Sequence, residues 1–130
     1  MIPIFIPSKG RAEKRLTADY LDYCKIPYRI VIEPSQYCTY LKEVKDKKKL
    51  LVMDMSYKGS YETCDNKGDS LGTGAGAVRN FLWDYSISEG HNYHWTMDDN
   101  IRAFYRLNRN LKVRVTDRSI FSALEDFAQR

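Results

Sequence analysis

The sequence predicts an α/β fold: a mostly parallel sheet flanked by helices. Three observations predict it. Short apolar runs recur at Ile2–Pro7, Tyr28–Glu33 and Leu50–Met53. Segments with helical spacing separate them. Breaks fall between them, with Lys25-Ile26-Pro27 ending the first helical segment and Pro34-Ser35 opening the second. A β-α-β-α-β order of this kind needs crossover helices and gives parallel strands.

Each element has its own justification. Ile2–Pro7 is apolar and bounded by prolines, the pattern of an interior strand. Over 11–24, Ala12, Leu16, Tyr20 and Tyr23/Cys24 form a helical face, which Lys25-Ile26-Pro27 breaks. Tyr28–Glu33 is rich in β-branched residues and reads as the second strand. Ser35 then serves as N-cap of a helix with Tyr37, Tyr40, Leu41 and Val44 on one side. Lys45–Lys49 end it with cations suited to a helix C-terminus. Leu50–Met53 is the third strand.

The stretch 54–70 is polar, holds Gly59 and Gly68 and has no period, so a loop is expected. Leu71–Gly76 leads into a helix with Val78, Phe81, Leu82 and Tyr85 aligned, and Gly90 closes it. Tyr93–Met97 alternates as a strand and runs into Asp98-Asp99-Asn100. Residues 101–106 and 111–115 are expected as two strands around Asn108-Arg109-Asn110. Thr116 or Asp117 caps a last helix with Ile120, Ala123, Leu124 and Phe127 in line. No linker or repeat interrupts 1–130, so one domain is expected.

Composition narrows the classes. Hydrophobic residues at 43% suffice for a core, and charged residues at 29% fit a soluble chain. No apolar stretch approaches the roughly 20 residues a membrane helix needs, and the N-terminal run lacks the marks of a signal peptide. Cys24, Cys38 and Cys64 are odd in number and widely spaced, which suggests neither a disulfide frame nor a zinc ribbon but reduced thiols and a cytoplasmic location. The net charge of +4 permits a polyanionic partner without requiring one.

Asp98-Asp99-Asn100 is the sharpest chemical feature. Two carboxylates and an amide offer oxygen ligands to a hard cation such as Mg²⁺ or Mn²⁺. On an extended chain Asp98 and Asn100 would face one way and Asp99 the other. The bland alternative is a strand-end turn with Asx capping. Pro7-Ser8-Lys9-Gly10-Arg11 follows the first strand, where Lys9 and Arg11 can meet phosphate or remain solvated. Gly72-Thr73-Gly74-Ala75-Gly76-Ala77 formally fits a dinucleotide fingerprint, but it follows a polar loop and fails the context test. Backbone freedom before a helix N-terminus is its better use, with Arg79 in reach of an anion. His91 and His94 read as structural, Trp83 and Trp95 as core, and Lys45–Lys49 as a solvated end. Asp117, Glu125 and Asp126 have no partner that spacing can assign.

Together these pieces resemble a known family, the TET-associated glycosyltransferases. The matching residues are Ile4–Arg11, Ile30–Pro34, Gly76 with Arg79-Asn80, and Trp95–Ile101. The resemblance implies a GT-A-like, Rossmann-like fold and transfer of a sugar to hydroxymethylated pyrimidines in phage DNA. It implies that Pro7, Ser8, Lys9 and Arg11 surround a nucleotide and that Glu33 lies near base or ribose. Arg79, behind Gly76, would approach the diphosphate or sugar. Asp98, Asp99 and Asn100 would hold Mn²⁺ or Mg²⁺ and the ribose or sugar, with a UDP-sugar as the default donor.

Only 30 residues follow Asn100. Such enzymes usually continue further to build the acceptor half. The expectation is therefore a donor-binding half, as a shortened piece, a natural short form or one completed by another chain. No catalytic base is assigned, and an uncovered apolar surface would favour a homo-oligomer. Two other readings stay open: a module that binds a nucleotide or nucleotide-sugar without transfer, and a nucleotidyltransferase, disfavoured because Gly10 stands alone in the first loop.

Overall fold

The computed structural model describes residues 2–60 and 75–130. Its elements run β1 (Ile4–Pro7), α1 (Leu16–Tyr23), β2 (Arg29–Ile32), α2 (Tyr37–Val44), β3 (Leu50–Val52), α3 (Ser56–Ser60), α4 (Gly76–Ser88), β4 (Trp95–Thr96), β5 (Tyr105–Asn108), β6 (Leu111–Arg114) and α5 (Ser119–Ala128). Strands β3-β2-β1-β4 form a parallel sheet, and β5-β6 form a separate antiparallel hairpin.

The continuous apolar runs of β1 and β2 follow from burial of both sheet faces. Ile4 and Ile6 join Ile30, Ile32 and Leu50 on one face, against Ala18, Tyr20 and Leu21 of α1, Tyr40 of α2 and Phe121 of α5. Phe5, Val31 and Leu51 point to the other, against Ala77, Phe81 and Leu82 of α4, with Tyr57 of α3 packed alongside. The two-residue period of the strands thus divides the core into two layers. The chain builds β1, β2 and β3 in one direction and then returns to lay β4 on the free side of β1. That reversal creates a crevice at the C-terminal ends of β1 and β4, where open α/β sheets take ligands.

Several boundaries differ from the sequence expectation. Helix α1 begins at Leu16 rather than 11, and Tyr23 is exposed while Thr17 and Leu21 are buried. Ser35 is not an N-cap: it lies inside a 3-10 turn, Pro34–Gln36, that leads into α2. The expected loop after β3 opens with helix α3, whose entry is held by Asp54 accepting from Ser56 N at 2.9 Å. Residues 61–74, including Cys64, Gly68, Gly72 and Gly74, lie outside the described residues.

Helix α4 matches its expected face, with Phe81 and Leu82 buried and Val78 and Tyr85 partly so. Trp83 does not belong to the core; it is 65% exposed on the opposite side of that helix. Gly90, at φ +83°, completes a Schellman end. Its N–H meets Ile87 O and the N–H of His91 meets Ser86 O, both at 3.0 Å.

The first hairpin strand starts at Tyr105, not 101, and runs on to Asn108, so that Arg109 and Asn110 alone form the turn, both with positive φ. That pairing of left-handed residues is a type I′ turn. Helix α5 is rotated relative to expectation. Phe121 and Glu125 are buried, whereas Leu124 and Phe127 are exposed. Neither Thr116 nor Asp117 is its N-cap; Arg118 is, and Asp117 accepts from Ser119 N at 2.9 Å. Glu125 tolerates burial because its carboxylate accepts from Trp95 Nε1 at 3.0 Å and from Arg118 at 3.1 Å. No helix among the described residues is long and apolar enough to cross a membrane.

Candidate functional site

A cleft of about 520 Å³ opens at the C-terminal edge of the sheet. The loop after β1 contributes Pro7, Ser8, Lys9 and Arg11; the end of β2 contributes Glu33; α4 contributes Arg79; and the end of β4 contributes Asp98, Asp99 and Asn100. Gly76, expected here, heads α4 but does not line the cleft; Ala75, Val78 and Arg79 do. The floor is apolar, from Val31, Ile32 and Met53.

One hydrogen-bonded ring fixes the β1 loop to the end of β4. The Ser8 hydroxyl donates to Asp99 Oδ2 at 2.8 Å. With its proton so used, Ser8 Oγ accepts from the Tyr40 hydroxyl, 2.6 Å away. Tyr40 Oη accepts in turn from Arg11 N at 3.1 Å, and the Arg11 guanidinium returns to Asp99 Oδ1 at 2.6 Å. Tyr40 is buried at the base of this ring, so its hydroxyl acts as an internal post for the loop. Gly10 lets the loop turn at φ +70° and donates its N–H to Gln36 Oε1 at 2.8 Å.

The Asp98–Ile101 bend is pinned from below by buried Thr17. Its hydroxyl donates to Asp98 O at 2.5 Å and accepts from Ile101 N at 3.0 Å. Strand β4 ends at Thr96 and the chain turns at Asp99-Asn100. The alternation expected of a strand therefore does not apply, and Asp98, Asp99 and Asn100 all line one cleft.

The charges are arranged in pairs. Glu33 lies between Lys9, at 3.2 Å, and Lys58. Burial pushes the Glu33 carboxyl upward, but hydrogen bonds and charge from Lys58 and Lys9 outweigh it and hold the group below its ordinary 4.5. Arg79 stands 3.6 Å from Asp98, both well exposed, so this contact is loose. Lys58 was not anticipated from sequence because it falls in the stretch read as a loop. Tyr40 is legible in the sequence only as part of an apolar helix face and Thr17 not at all, since a hydroxyl facing inward leaves no periodic signal.

The donor set bears on the expected metal. Among the described residues no group of three His, Cys, Asp or Glu side chains could hold an ion. Both oxygens of Asp99 already have partners, whereas Asp98 is open to the cleft. One carboxylate, only loosely paired with Arg79, and an adjacent amide do not make a closed protein cage; they would suit a hard cation such as Mg²⁺ or Mn²⁺ only with further oxygen ligands from outside the protein.

A family model described as TET-Associated Glycosyltransferase matches residues 2–130. The chain belongs to the TET-associated glycosyltransferase family. No curated protein and no solved structure matches it. For a glycosyltransferase, the cleft has the relevant properties: it lies at the switch point of a parallel sheet, has an apolar floor, and carries cations and carboxylates on its rim.

Proposed function

We propose that this glycosyltransferase binds a UDP-sugar in the cleft and transfers the sugar to a hydroxymethylated pyrimidine in phage DNA. The observation that carries the reading is the meeting of Arg11 and Arg79 with Asp98 and Asp99 at the C-terminal edge of β1 and β4. A diphosphate here would find guanidinium donors suited to its oxygens. Asp98, with Asn100, would hold Mn²⁺ or Mg²⁺ against the same phosphates. When bound, that ion would neutralise charge gathering on the leaving diphosphate.

The remaining residues have roles of position. The Ser8–Tyr40–Arg11–Asp99 ring keeps the β1 loop in one shape before the donor arrives. Glu33, fixed between two lysines and ionised, presents carboxylate oxygens toward a base or ribose donor. Val31, Ile32 and Met53 supply an apolar surface for the nucleoside.

Calorimetric titration with uridine diphosphate tests this reading, first with Mn²⁺ and then with a chelator. Metal-dependent binding in the wild type, lost in the Asp98→Ala/Asn100→Ala double variant, is expected. Equal binding in the double variant would refute the site.

A further inference from the structure

Outside the cleft, charge is concentrated on the β5–β6 hairpin. Between Asn100 and Thr116 the chain holds five cations (Arg102, Arg106, Arg109, Lys112 and Arg114) and no carboxylate. The whole chain carries +4, so everything else sums to −1. None of the five forms an ion pair with a carboxylate among the described residues. Elsewhere Arg11, Arg79, Lys9, Lys58, Lys49 and Arg118 each have an acidic partner, and the cations without one, such as Lys42, Lys47 and Lys48, are interspersed with carboxylates such as Glu43 and Asp46.

The shape of the element matters as much as its charge. All four residues of β5 are exposed, and three of the four in β6. The base is clamped: Val115 N donates to Phe104 O at 2.9 Å, and the Tyr20 hydroxyl donates to Val115 O. Beyond that base the ribbon projects into solvent, although a lone hairpin gains little stability in water. Register places Tyr105 opposite Arg114 and Leu107 opposite Lys112, so these four share one face, while Arg106 lies on the other. Cations are interleaved with rings on that first face: Lys112 Nζ lies 4.2 Å from the Tyr105 ring centroid, and the Arg114 guanidinium 5.3 Å from that of Tyr23. Tyr105 is 45% and Tyr23 60% exposed.

We infer that the β5–β6 hairpin is the surface on which this protein docks a DNA duplex, through its phosphate backbone. A two-stranded ribbon fits the width of the major groove, and cations on both of its faces would meet the phosphates on either side. Unpaired arginines and lysines interleaved with exposed tyrosines are the composition such contacts use. The location also suits the cleft. Arg102, at the foot of the ribbon, is two residues beyond Asn100, and Leu16, next to the Thr17 that pins Asp98, shares a groove with Arg102 and Arg114. As an acceptor platform the inference rests on the proposed function, but duplex docking is measured independently of the donor.

The test is fluorescence anisotropy with a short labelled duplex over a range of salt, using the triple variant Arg106→Gln/Arg109→Gln/Lys112→Gln. A second triple, Lys42→Gln/Lys47→Gln/Lys48→Gln, removes the same charge elsewhere. The hairpin triple is expected to lose on the order of tenfold or more in affinity, and its log–log salt slope to fall by up to about 0.9 per lost phosphate contact. The control triple should stay near wild type, and uridine diphosphate binding should be unchanged in both. Arg109→Asn alone, which suits the left-handed turn, should lower the slope by about one contact. No duplex binding by the wild type at low salt, an unchanged slope in the hairpin triple, or equal losses in both triples would overturn the inference. Failure of the titration with uridine diphosphate would count against the donor reading alone.

Discussion

Ser8 donates a hydrogen bond to Asp99 at 2.8 Å across 91 positions of sequence, joining the loop after β1 to the turn after β4. These two strands flank the switch point of the sheet, so one bond ties together the two walls on which the cleft depends. Tyr40 on α2 and both the backbone and side chain of Arg11 close the ring around it.

Removing the Tyr40 hydroxyl opens the ring at its buried point. Tyr40→Phe keeps the ring stacking volume but leaves Arg11 N without its acceptor and Ser8 Oγ without its donor. The expected cost is about 1–3 kcal/mol, read as a lower urea midpoint with an unchanged slope. A midpoint equal to wild type would mean that water replaces the hydroxyl at no cost.

Gly90 ends α4 in the left-handed region, where a side chain is strained although the space around it is open. Gly90→Ala is therefore expected to cost about 1–2 kcal/mol through the backbone alone. Gly90→Asn should recover part of it, since asparagine tolerates that conformation. If both variants melt with the wild type, the helix end relaxes into another geometry.

The parts of this fold legible in sequence are those where local pattern and burial agree. Ile4-Phe5-Ile6 and Ile30-Val31-Ile32 read as interior strands because both faces of the sheet are covered. Helix α5 departs from its sequence pattern: Leu124 and Phe127 look like core, yet Phe121 and Glu125 are the residues turned inward. Only Trp95 and Arg118, distant or on another turn, make that burial tolerable. The same holds at the cleft. Nine expected residues line it, but the Tyr40 and Thr17 hydroxyls that shape it bond to backbone or side chains 29 to 84 positions away. Such pairings arise from the topology and have no local signature.

Glu33 gives the cleft a pH dependence whose sign follows from its lowered pKa. A carboxylate held below its unfolded value stabilises the fold above about 4.5, and that contribution disappears as pH falls through the lower, folded value. Unfolding measured at several pH values should therefore show wild type above Glu33→Gln by a constant margin near neutrality. The margin should shrink below about 4.5. A margin that persists in strong acid, or widens there, would show that Lys9 and Lys58 do not stabilise the ionised group.

Asp98 and Asp99 should separate by experiment because their surroundings differ. Asp99 is engaged through both oxygens by Ser8 and Arg11, so Asp99→Asn should lower stability by about 1–2 kcal/mol. Asp98 is exposed, with Arg79 at a loose 3.6 Å, so Asp98→Asn should leave stability within about 0.5 kcal/mol of wild type. Under the proposed function Asp98 is nevertheless the open metal ligand. Asp98→Asn should then weaken Mn²⁺-dependent binding of uridine diphosphate by about tenfold or more, which corresponds to roughly 1.4 kcal/mol, while metal-free binding stays as it was. Unaltered metal-dependent binding in Asp98→Asn would remove Asp98 from the metal site and leave the triplet as a turn that shapes the cleft wall.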